Sequence, residues 1–377
     1  MRATPENTTL MVVYEDRPTD LIALKLLALS LARHCPDIHL RVVCPVATPD
    51  MERWLRRQPN VECRCGAALQ SNGYDVKPTL LREALEEGRD EVWWVDSDII
   101  FNGDFRKPLG QLDHHTFVGT QEVHWGARQG TRFRTWGHGY SIGRCLPHTI
   151  NSCLLRFTKA HLNLLHDWEG TVRSERYQKV QQLPWRQRPL YMITDQDCLN
   201  ALLGSSKHAH IPVHLLRRGR DIIQNGGPAG YTVGERLANV TRGGSLPAVV
   251  HMQGLKPWNF AKKRPIMKAV SYSFERLALQ LSPYCQLAAQ YRDAMDEPAA
   301  WFELDTAAAR WLDRLTLGSP HLRGLPCALV DAAWRRVKRL KEQWCGESAS
   351  IQPMSMHGAY RLESSTTRDS DSVKRAA

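Results

Sequence analysis

Short apolar segments alternate with amphipathic ones through about the first hundred residues, and this order limits the fold more than any other feature of the sequence. Apolar runs of about four to eight residues, bounded by turn-forming residues, are typical of buried strands. Such runs predict strands at residues 9–14, 38–44, 61–65 and 91–95. The stretches between them predict helices at residues 20–33, 48–58 and 78–87. The alternation therefore predicts an α/β fold, in which helices flank a mostly parallel, mixed sheet.

The middle of the chain is less regular. Residues 121–144 are rich in Gly, Arg, Trp and His and have weak periodicity, which predicts a long loop or lid. Beyond them, strands are predicted at residues 149–157 and 248–252, and helices at residues 159–168 and 195–203. We expect the segment 121–144 to carry function, because loops on a rigid scaffold often do.

The last hundred or so residues follow a helical pattern that ends in a polar tail. One apolar stripe, opposite a basic face, is formed by Leu329, Val330, Ala333, Trp334, Val337, Leu340 and Trp344. The simplest interpretation is a helix that packs on the core, and the alternative is a basic helix that contacts an anionic membrane surface. We predict a main domain over residues 1–260, a helical C-terminal extension over 261–345, and a disordered tail over 346–377.

The composition excludes several classes of protein. Of 377 residues, 42% are hydrophobic and 24% are charged, as in soluble globular proteins. The net charge of +11 favours anionic partners, namely nucleotide diphosphates, phospholipids or nucleic acid. Because the sequence contains no zinc finger and no aromatic RNA-binding strand pair, we do not expect nucleic acid to be the partner.

Two further features bear on location. No export signal precedes the first predicted strand, and the longest apolar stretch, residues 21–31, is too short to cross a bilayer. The ten cysteines have neither the spacing of a disulfide framework nor that of a zinc site, which favours free thiols. We therefore expect a cytoplasmic protein, with any membrane contact made peripherally at the inner face.

Two carboxylates mark the end of the fourth predicted strand. The apolar run that begins at Glu91 stops at Asp96 and Asp98, which are separated by one residue. Two acids in one turn repel each other unless a cation lies between them, and hard divalent ions prefer such oxygen ligands. The alternative is a solvated turn with no ligand. The position at the carboxyl end of a strand favours the metal site, since ligands of α/β sheets bind at that edge.

Five segments of the chain, taken in order, resemble the GT-A glycosyltransferases, and specifically glycosyltransferase family 8. They cover about the first 260 residues and comprise Lys77-Pro78 and residues 95–99, 150–154, 194–200 and 251–258. Their order and spacing together carry the resemblance. It implies a GT-A fold, which is Rossmann-like, and the transfer of a sugar from a nucleotide-diphosphate donor to an acceptor hydroxyl.

The resemblance also implies a metal site. Members of this family hold a divalent ion, usually manganese, with both aspartates of an Asp-x-Asp motif and a histidine late in the sequence. These positions correspond to Asp96, Asp98 and His251. Two carboxylates and an imidazole suit Mn²⁺ better than Ca²⁺, because the imidazole adds a softer nitrogen. The expected cofactor is therefore Mn²⁺, or Mg²⁺.

Basic residues are expected to bind the donor diphosphate. Lys256 would place an ammonium group on it, and Gly254 would let backbone amides approach closely. The chain departs from the common family pattern here, because one residue rather than two separates Gly254 from Lys256. Lys77 is a second candidate for the phosphate, or for pairing with an aspartate, and the alternative is a lysine on a helix surface.

The remaining implied residues would bind the sugar. By resemblance, Asp195 and Gln196 lie beside the anomeric carbon in retaining members of the family, and Asn151 contacts the sugar. Gln196 would stabilise positive charge at that carbon while Asp195 holds donor hydroxyls. An aspartate that opens a helix is often an N-cap, and this interpretation stays open for one of the acids in Asp195-Gln196-Asp197.

The prediction is thus a metal-dependent, retaining glycosyltransferase that acts on a carbohydrate or lipid-linked acceptor. One alternative is a catalytically silent, membrane-associated scaffold with the same fold. Another is a sugar-phosphate nucleotidyltransferase, but enzymes of that class resemble one another in a Gly-rich phosphate loop, and residues 14–19 contain no glycine.

Overall fold

The computed structural model describes residues 9–65, 73–122, 128–225, 227, 230–260, 269–295 and 303–344. The described residues form two compact units, which meet at the boundary between Ala328 and Leu329. The predicted boundaries at residues 260 and 345 stay predictions. In the described ranges, no helix is both long enough and apolar enough to span a membrane.

In the part of the chain that the structure describes, ten strands form two sheets. They are β1 (Leu10–Tyr14), β2 (His39–Cys44), β3 (Val61–Cys65), β4 (Glu91–Val95), β5 (Ile99–Phe101), β6 (Phe117–Gln121), β7 (Ile150–Thr158), β8 (Val213–Leu216), β9 (Ile222–Gln224) and β10 (Val249–His251). Seven of them form the main sheet in the order β3-β2-β1-β4-β7-β6-β8. Only β7 runs antiparallel to its neighbours, β4 and β6. The sheet is mixed and mostly parallel, which confirms the predicted α/β fold.

Twelve α-helices lie in the described residues. They are α1 (Leu21–His34), α2 (Pro49–Arg56), α3 (Lys77–Glu86), α4 (Arg128–Gly137), α5 (Leu162–Arg173), α6 (Glu175–Gln181), α7 (Asp195–Gly204), α8 (Val233–Arg242), α9 (Ala269–Gln280), α10 (Pro283–Ala288), α11 (Ala307–Leu315) and α12 (Leu325–Trp344). Both faces of the main sheet are covered. Along β1, Leu10 and Val12 pack with α3, α5 and α7, whereas Met11 and Val13 pack with α1 and α2.

The prediction of a loop over residues 121–144 is wrong for α4, which is a helix inside that segment. Residues 123–127 lie outside the described ranges. Polar contacts stabilise α4 against α7: Arg134 pairs with Asp197, with Nε 2.5 Å from Oδ1, and the Thr135 hydroxyl donates to the Ala201 carbonyl at 3.0 Å. Because these contacts are buried and polar, α4 carries no apolar stripe that would indicate a helix in the sequence.

A second sheet brings distant parts of the chain together. Strand β10 lies between β9, to which it is parallel, and β5, to which it is antiparallel. His251 at the end of β10 is paired with Ile99, the first residue of β5. This pairing places the C-terminal end of β10 beside the turn that follows β4.

Two expectations from the sequence stay predictions. One is the free state of the cysteine thiols, and the sulfur atoms of Cys63 and Cys65 lie close together on β3. The other is the packing of the α12 stripe on the core, because the stripe begins at Leu329, where the second compact unit starts. The peripheral membrane contact stays a prediction.

Candidate functional site

A cavity of about 1140 Å³ opens at the carboxyl ends of β1 and β4. These strands are neighbours, but β2 lies beyond β1 on one side and β7 lies beyond β4 on the other. Ligands of open α/β sheets bind at such a reversal of strand order, because the flanking loops diverge and leave a crevice. Every site residue predicted from the sequence lines this cavity: Lys77, Asp96, Asp98, Asn151, Asp195, Gln196, His251, Gly254 and Lys256.

The turn after β4 presents both acids of the Asp-x-Asp motif. The Asp96 amide donates to the Cys153 carbonyl at 2.8 Å, which holds the turn against β7. The Trp94 indole donates to Asp96 Oδ1 at 2.7 Å and orients that carboxylate. Asp98 is buried, whereas Asp96 is partly exposed to the cavity. The turn is therefore anchored by β-strand contacts and is not a freely solvated strand end.

His251 lies against Asp98 because of the β5–β10 pairing. The Met252 amide donates to the Asp98 carbonyl at 2.9 Å, and His251 Nε2 lies 3.2 Å from Asp98 Oδ1. Nδ1 of His251 lies 2.6 Å from Gln224 Oε1, within hydrogen-bond distance. Burial alone would lower the pKa of His251, but Cys153 and Asp98 raise it well above its ordinary value.

The donor set fits a divalent ion. Asp96, Asp98 and His251 each offer one ligand atom, and these atoms all lie within 4.8 Å of one another. Two carboxylates and an imidazole form a set suited to Mn²⁺ or Mg²⁺. Gln224 fixes the ring of His251, as partners of metal-bound histidines commonly do. The sequence did not predict Gln224, because a glutamine inside a short apolar strand has no distinguishing pattern.

Lys256 reaches the acidic turn despite the shortened spacing after Gly254. Its ammonium group contacts the carboxylate of Asp98 and the carbonyl of Met252. Burial alone would raise the pKa of Asp98, but the charges of Lys256 and His251 hold that pKa well below its ordinary value. Gly254 has a φ of 88°, in the region that favours glycine, and this conformation turns the chain back toward the cavity.

Lys77 is buried at the base of the cavity, so it is not a lysine on a helix surface. Its Nζ lies 3.0 Å from Asp96 Oδ1 and 3.8 Å from Asp195 Oδ2, and it donates to the Ser152 hydroxyl at 2.9 Å. Burial alone would lower the pKa of Lys77, but Asp195 and Asp96 raise it above its ordinary value. Lys77 therefore carries a charge that links the acidic turn to helix α7.

The two acids in the first turn of α7, Asp195 and Asp197, both line the cavity but have different contacts. Asp197 accepts from the amides of Ile193 and Thr194, at 2.9 Å and 3.0 Å, and forms a capping box with Thr194. Asp195 makes no cap. Burial raises the pKa of Asp195 to about 7, although Lys77 acts in the opposite direction. The N-cap of α7 is Thr194, so the N-cap interpretation is wrong for both acids. Asp197 is the third helical residue and completes the capping box, and Asp195 faces Lys77.

Glu122 is a buried carboxylate of the cavity that the sequence prediction missed. Its Oε2 accepts from Asn151 Nδ2 at 2.7 Å and from Gln196 Nε2 at 2.8 Å. The Gln196 carbonyl accepts from the Ser152 amide at 3.1 Å. Both ends of the Gln196 amide are therefore engaged. Glu122 directly follows β6. The sequence therefore contained a usable signal for it, because an acid at the end of a strand is also what indicated Asp96.

Other charged residues near the first strand and after β8 have local partners. Arg17 donates to Glu15 at 2.7 Å, and the Ser97 hydroxyl donates to the same carboxylate. The Gly73 amide donates to Asp16 at 2.7 Å. These contacts fix the end of β1 beside the acidic turn. The arginines at positions 217, 218 and 220 do not line the cavity, and two of them pair with Asp221 or Glu235.

No protein-family model and no curated protein matches the chain. It is similar to solved glycosyltransferase structures. The apo form of the bifunctional glycosyltransferase WbbM has a TM-score of 0.46 and 16% identity, covering 70% of this chain and 49% of WbbM. The galactosyltransferase LgtC with donor and acceptor sugar analogues has a TM-score of 0.43 and 15% identity, covering 76% of this chain and 100% of LgtC.

The apo glycosyltransferase GlyE of Streptococcus pneumoniae TIGR4 has a TM-score of 0.41 and 13% identity, with 76% of this chain and 64% of GlyE covered. The chain thus spans about half the length of the WbbM structure. All three similarities are distant. The functional argument below is therefore built on the chain's own site.

Proposed function

We propose that this chain is a GT-A glycosyltransferase that transfers a sugar from a nucleotide-diphosphate donor to an acceptor hydroxyl. The observation that carries this proposal is the convergence of Asp96, Asp98 and His251 beside Lys256 at the reversal of strand order. Such a site combines a place for a divalent cation with a lysine, which together suit a diphosphate. The alternative of a silent scaffold gives no reason for this donor set.

The site suits a diphosphate leaving group. Asp96, Asp98 and His251 would hold Mn²⁺ or Mg²⁺, which would neutralise charge on the phosphate oxygens. Lys256 would donate to the same oxygens once its contact with Asp98 is exchanged. Backbone amides near Gly254 would approach the phosphates without a side chain between them. These interactions strengthen as negative charge develops on the leaving group, so they favour the transition state.

The sugar would lie between α7 and the start of β7. Asp195 and Asn151 would bind its hydroxyls, and Gln196 would lie beside the anomeric carbon. Glu122 accepts from the amide nitrogens of both Asn151 and Gln196, which fixes their orientation. We propose retention at the anomeric carbon because the resemblance to family 8 implies it. Since no side chain is assigned as a nucleophile, the acceptor would attack on the same face that the diphosphate leaves.

The experiment that tests this function measures donor turnover. Purified protein is incubated with UDP-linked and GDP-linked sugars in MnCl₂ or in EDTA, and the products are followed by NMR. We expect one donor to be hydrolysed slowly to nucleoside diphosphate and sugar with Mn²⁺ and not with EDTA. The anomeric configuration of the first-formed product should match that of the donor.

Three results would contradict the proposal in different ways. Equal turnover in EDTA and in MnCl₂ would contradict the proposed metal dependence. A product of inverted anomeric configuration would contradict the proposed retaining mechanism. Binding of donors without any turnover would favour the scaffold. A matched control is Glu169→Gln, which removes a buried carboxylate that pairs with Arg82 outside the cavity and should leave turnover unchanged.

A further inference from the structure

Trp185 is exposed at the cavity although most tryptophans of the described chain are buried or partly buried. Its exposed fraction is 59%, and it lines the same cavity as the acidic turn. Large apolar side chains exposed at a pocket are typical of binding sites, because an aromatic ring offers a broad flat surface at little cost in side-chain freedom. Trp185 therefore has the position of a binding residue, without a structural role in the core.

The surrounding segment holds Trp185 in a fixed place. Trp185 begins a short 3-10 turn, Trp185–Gln187, directly after Pro184. The Arg188 guanidinium lies 5.7 Å from the centre of the indole ring. Arg188 also donates to the carbonyls of Leu183, Gln181 and Ile193, at 3.1 Å, 2.8 Å and 3.0 Å. These bonds tie the turn to Ile193, two residues before Asp195, so the ring is preorganised.

The cavity is larger than one substrate requires. Ligand pockets usually have volumes of about 300–1,000 Å³, whereas this cavity has about 1140 Å³. In the proposed site, the diphosphate lies at the turn after β4, beside Asp98 and Lys256. Trp185 is tied through Arg188 to Ile193, just before α7, which packs on β7. We therefore assign the indole to the part of the cavity that α7 borders.

We propose that Trp185 forms the acceptor subsite and stacks against a pyranose ring of a carbohydrate acceptor. One face of a pyranose consists largely of C–H groups, so stacking removes apolar surface of both rings from water. The hydroxyls at the ring edge stay free for polar groups of the cavity. This inference rests on the proposed function and adds the chemical class of the acceptor, a neutral sugar ring, and the residue that binds it.

The test compares Trp185→Ala and Trp185→Phe with Trp311→Ala. Trp311 on α11 is equally exposed, at 61%, and does not line the cavity, so it controls for the loss of a surface tryptophan. Lactose, maltose, cellobiose and chitobiose serve as acceptor probes with the donor that the protein hydrolyses. We expect at least one disaccharide to be glycosylated, with its KM raised about tenfold or more in Trp185→Ala and largely restored in Trp185→Phe.

A second readout does not depend on turnover. The same disaccharide should change the tryptophan fluorescence of the wild type and of Trp311→Ala, and should leave that of Trp185→Phe unchanged. Hydrolysis of the donor by water should be equal in the wild type and Trp311→Ala. The inference is overturned if no disaccharide is glycosylated, if Trp185→Ala leaves the acceptor KM unchanged, or if it weakens binding of the nucleoside diphosphate instead. Absence of donor hydrolysis in the wild type would contradict the proposed function itself.

Discussion

At the scale of single residues, the cavity is organised by contacts between its own charged groups. Lys77 joins Asp96 to Asp195, and Lys256 lies on Asp98, the carboxylate that His251 also contacts. The Lys256 ammonium therefore contacts a carboxylate that belongs to the proposed metal site. If the site binds a divalent ion, lysine and metal would compete for Asp98 when no nucleotide is bound.

This competition predicts the behaviour of Lys256→Met. Removing the ammonium frees the Asp98 carboxylate, so the variant should bind Mn²⁺ about tenfold more tightly without nucleotide, which corresponds to about 1.4 kcal/mol. It should bind the nucleoside diphosphate more weakly, because one cationic donor is lost. Titration of Mn²⁺ followed by EPR measures the first effect. Lys159→Met, in an exposed pair with Asp90, is the control, and unchanged or weaker Mn²⁺ binding by Lys256→Met would argue against the competition.

Some of these residues were predictable from the sequence and others were not. Asp96 and Asp98 were predicted because they follow an apolar strand, and His251 and Lys256 because of the resemblance. The structure brings all four to one cavity. Gln224 and Glu122 were missed, because they act by orienting His251, Asn151 and Gln196. Such roles depend on which side chains the fold places together, and residue type does not encode them.

At the scale of elements, a buried ion pair between Arg134 and Asp197 helps to join α4 to α7. Arg134 and Asp197 are both almost fully buried, and Asp197 also completes the capping box of the helix that carries Asp195 and Gln196. Removing one partner of a buried pair leaves an uncompensated charge, which costs far more than removing both. The position of the first turn of α7, the proposed sugar-binding turn, should therefore depend on α4.

We predict that Arg134→Met lowers the free energy of unfolding by about 3 kcal/mol and that the double variant Arg134→Met/Asp197→Asn loses less than the two single variants together. Urea unfolding followed by circular dichroism measures both quantities. Arg53→Met on α2 is the matched control, because its pair with Asp50 is exposed and such pairs contribute little. Strict additivity of the two buried changes would contradict a direct coupling.

The elements also differ in how well sequence patterns predict them. Strands β3 and β4 have the predicted bounds, and α1 and α3 are within one residue of theirs, because their apolar periodicity is strong. Helix α4 was missed because its contacts are polar. The α12 stripe has a clear helical period, but periodicity does not determine whether a partner covers it.

At the scale of the whole molecule, the central feature is a contact between residues about 150 positions apart. The pairing of β10 with β5 places His251 beside Asp98, and the reversal of strand order between β1 and β4 opens the cavity in front of them. The order of strands in the main sheet follows no local pattern of the sequence. The resemblance implied that His251 joins Asp96 and Asp98, and the β5–β10 pairing is the contact on which the proposed metal site depends.

Calorimetric titration of UDP and GDP into the wild type and Asp98→Asn, each with and without Mn²⁺, tests this claim most directly. We predict that the wild type binds one of the two nucleotides at least about tenfold more tightly with Mn²⁺, because a bound cation adds ligand positions for the diphosphate. Asp98→Asn should lose that enhancement while unfolding at a similar temperature. Equal Mn²⁺ enhancement in Asp98→Asn and the wild type, or no binding of either nucleotide to the wild type, would contradict the account.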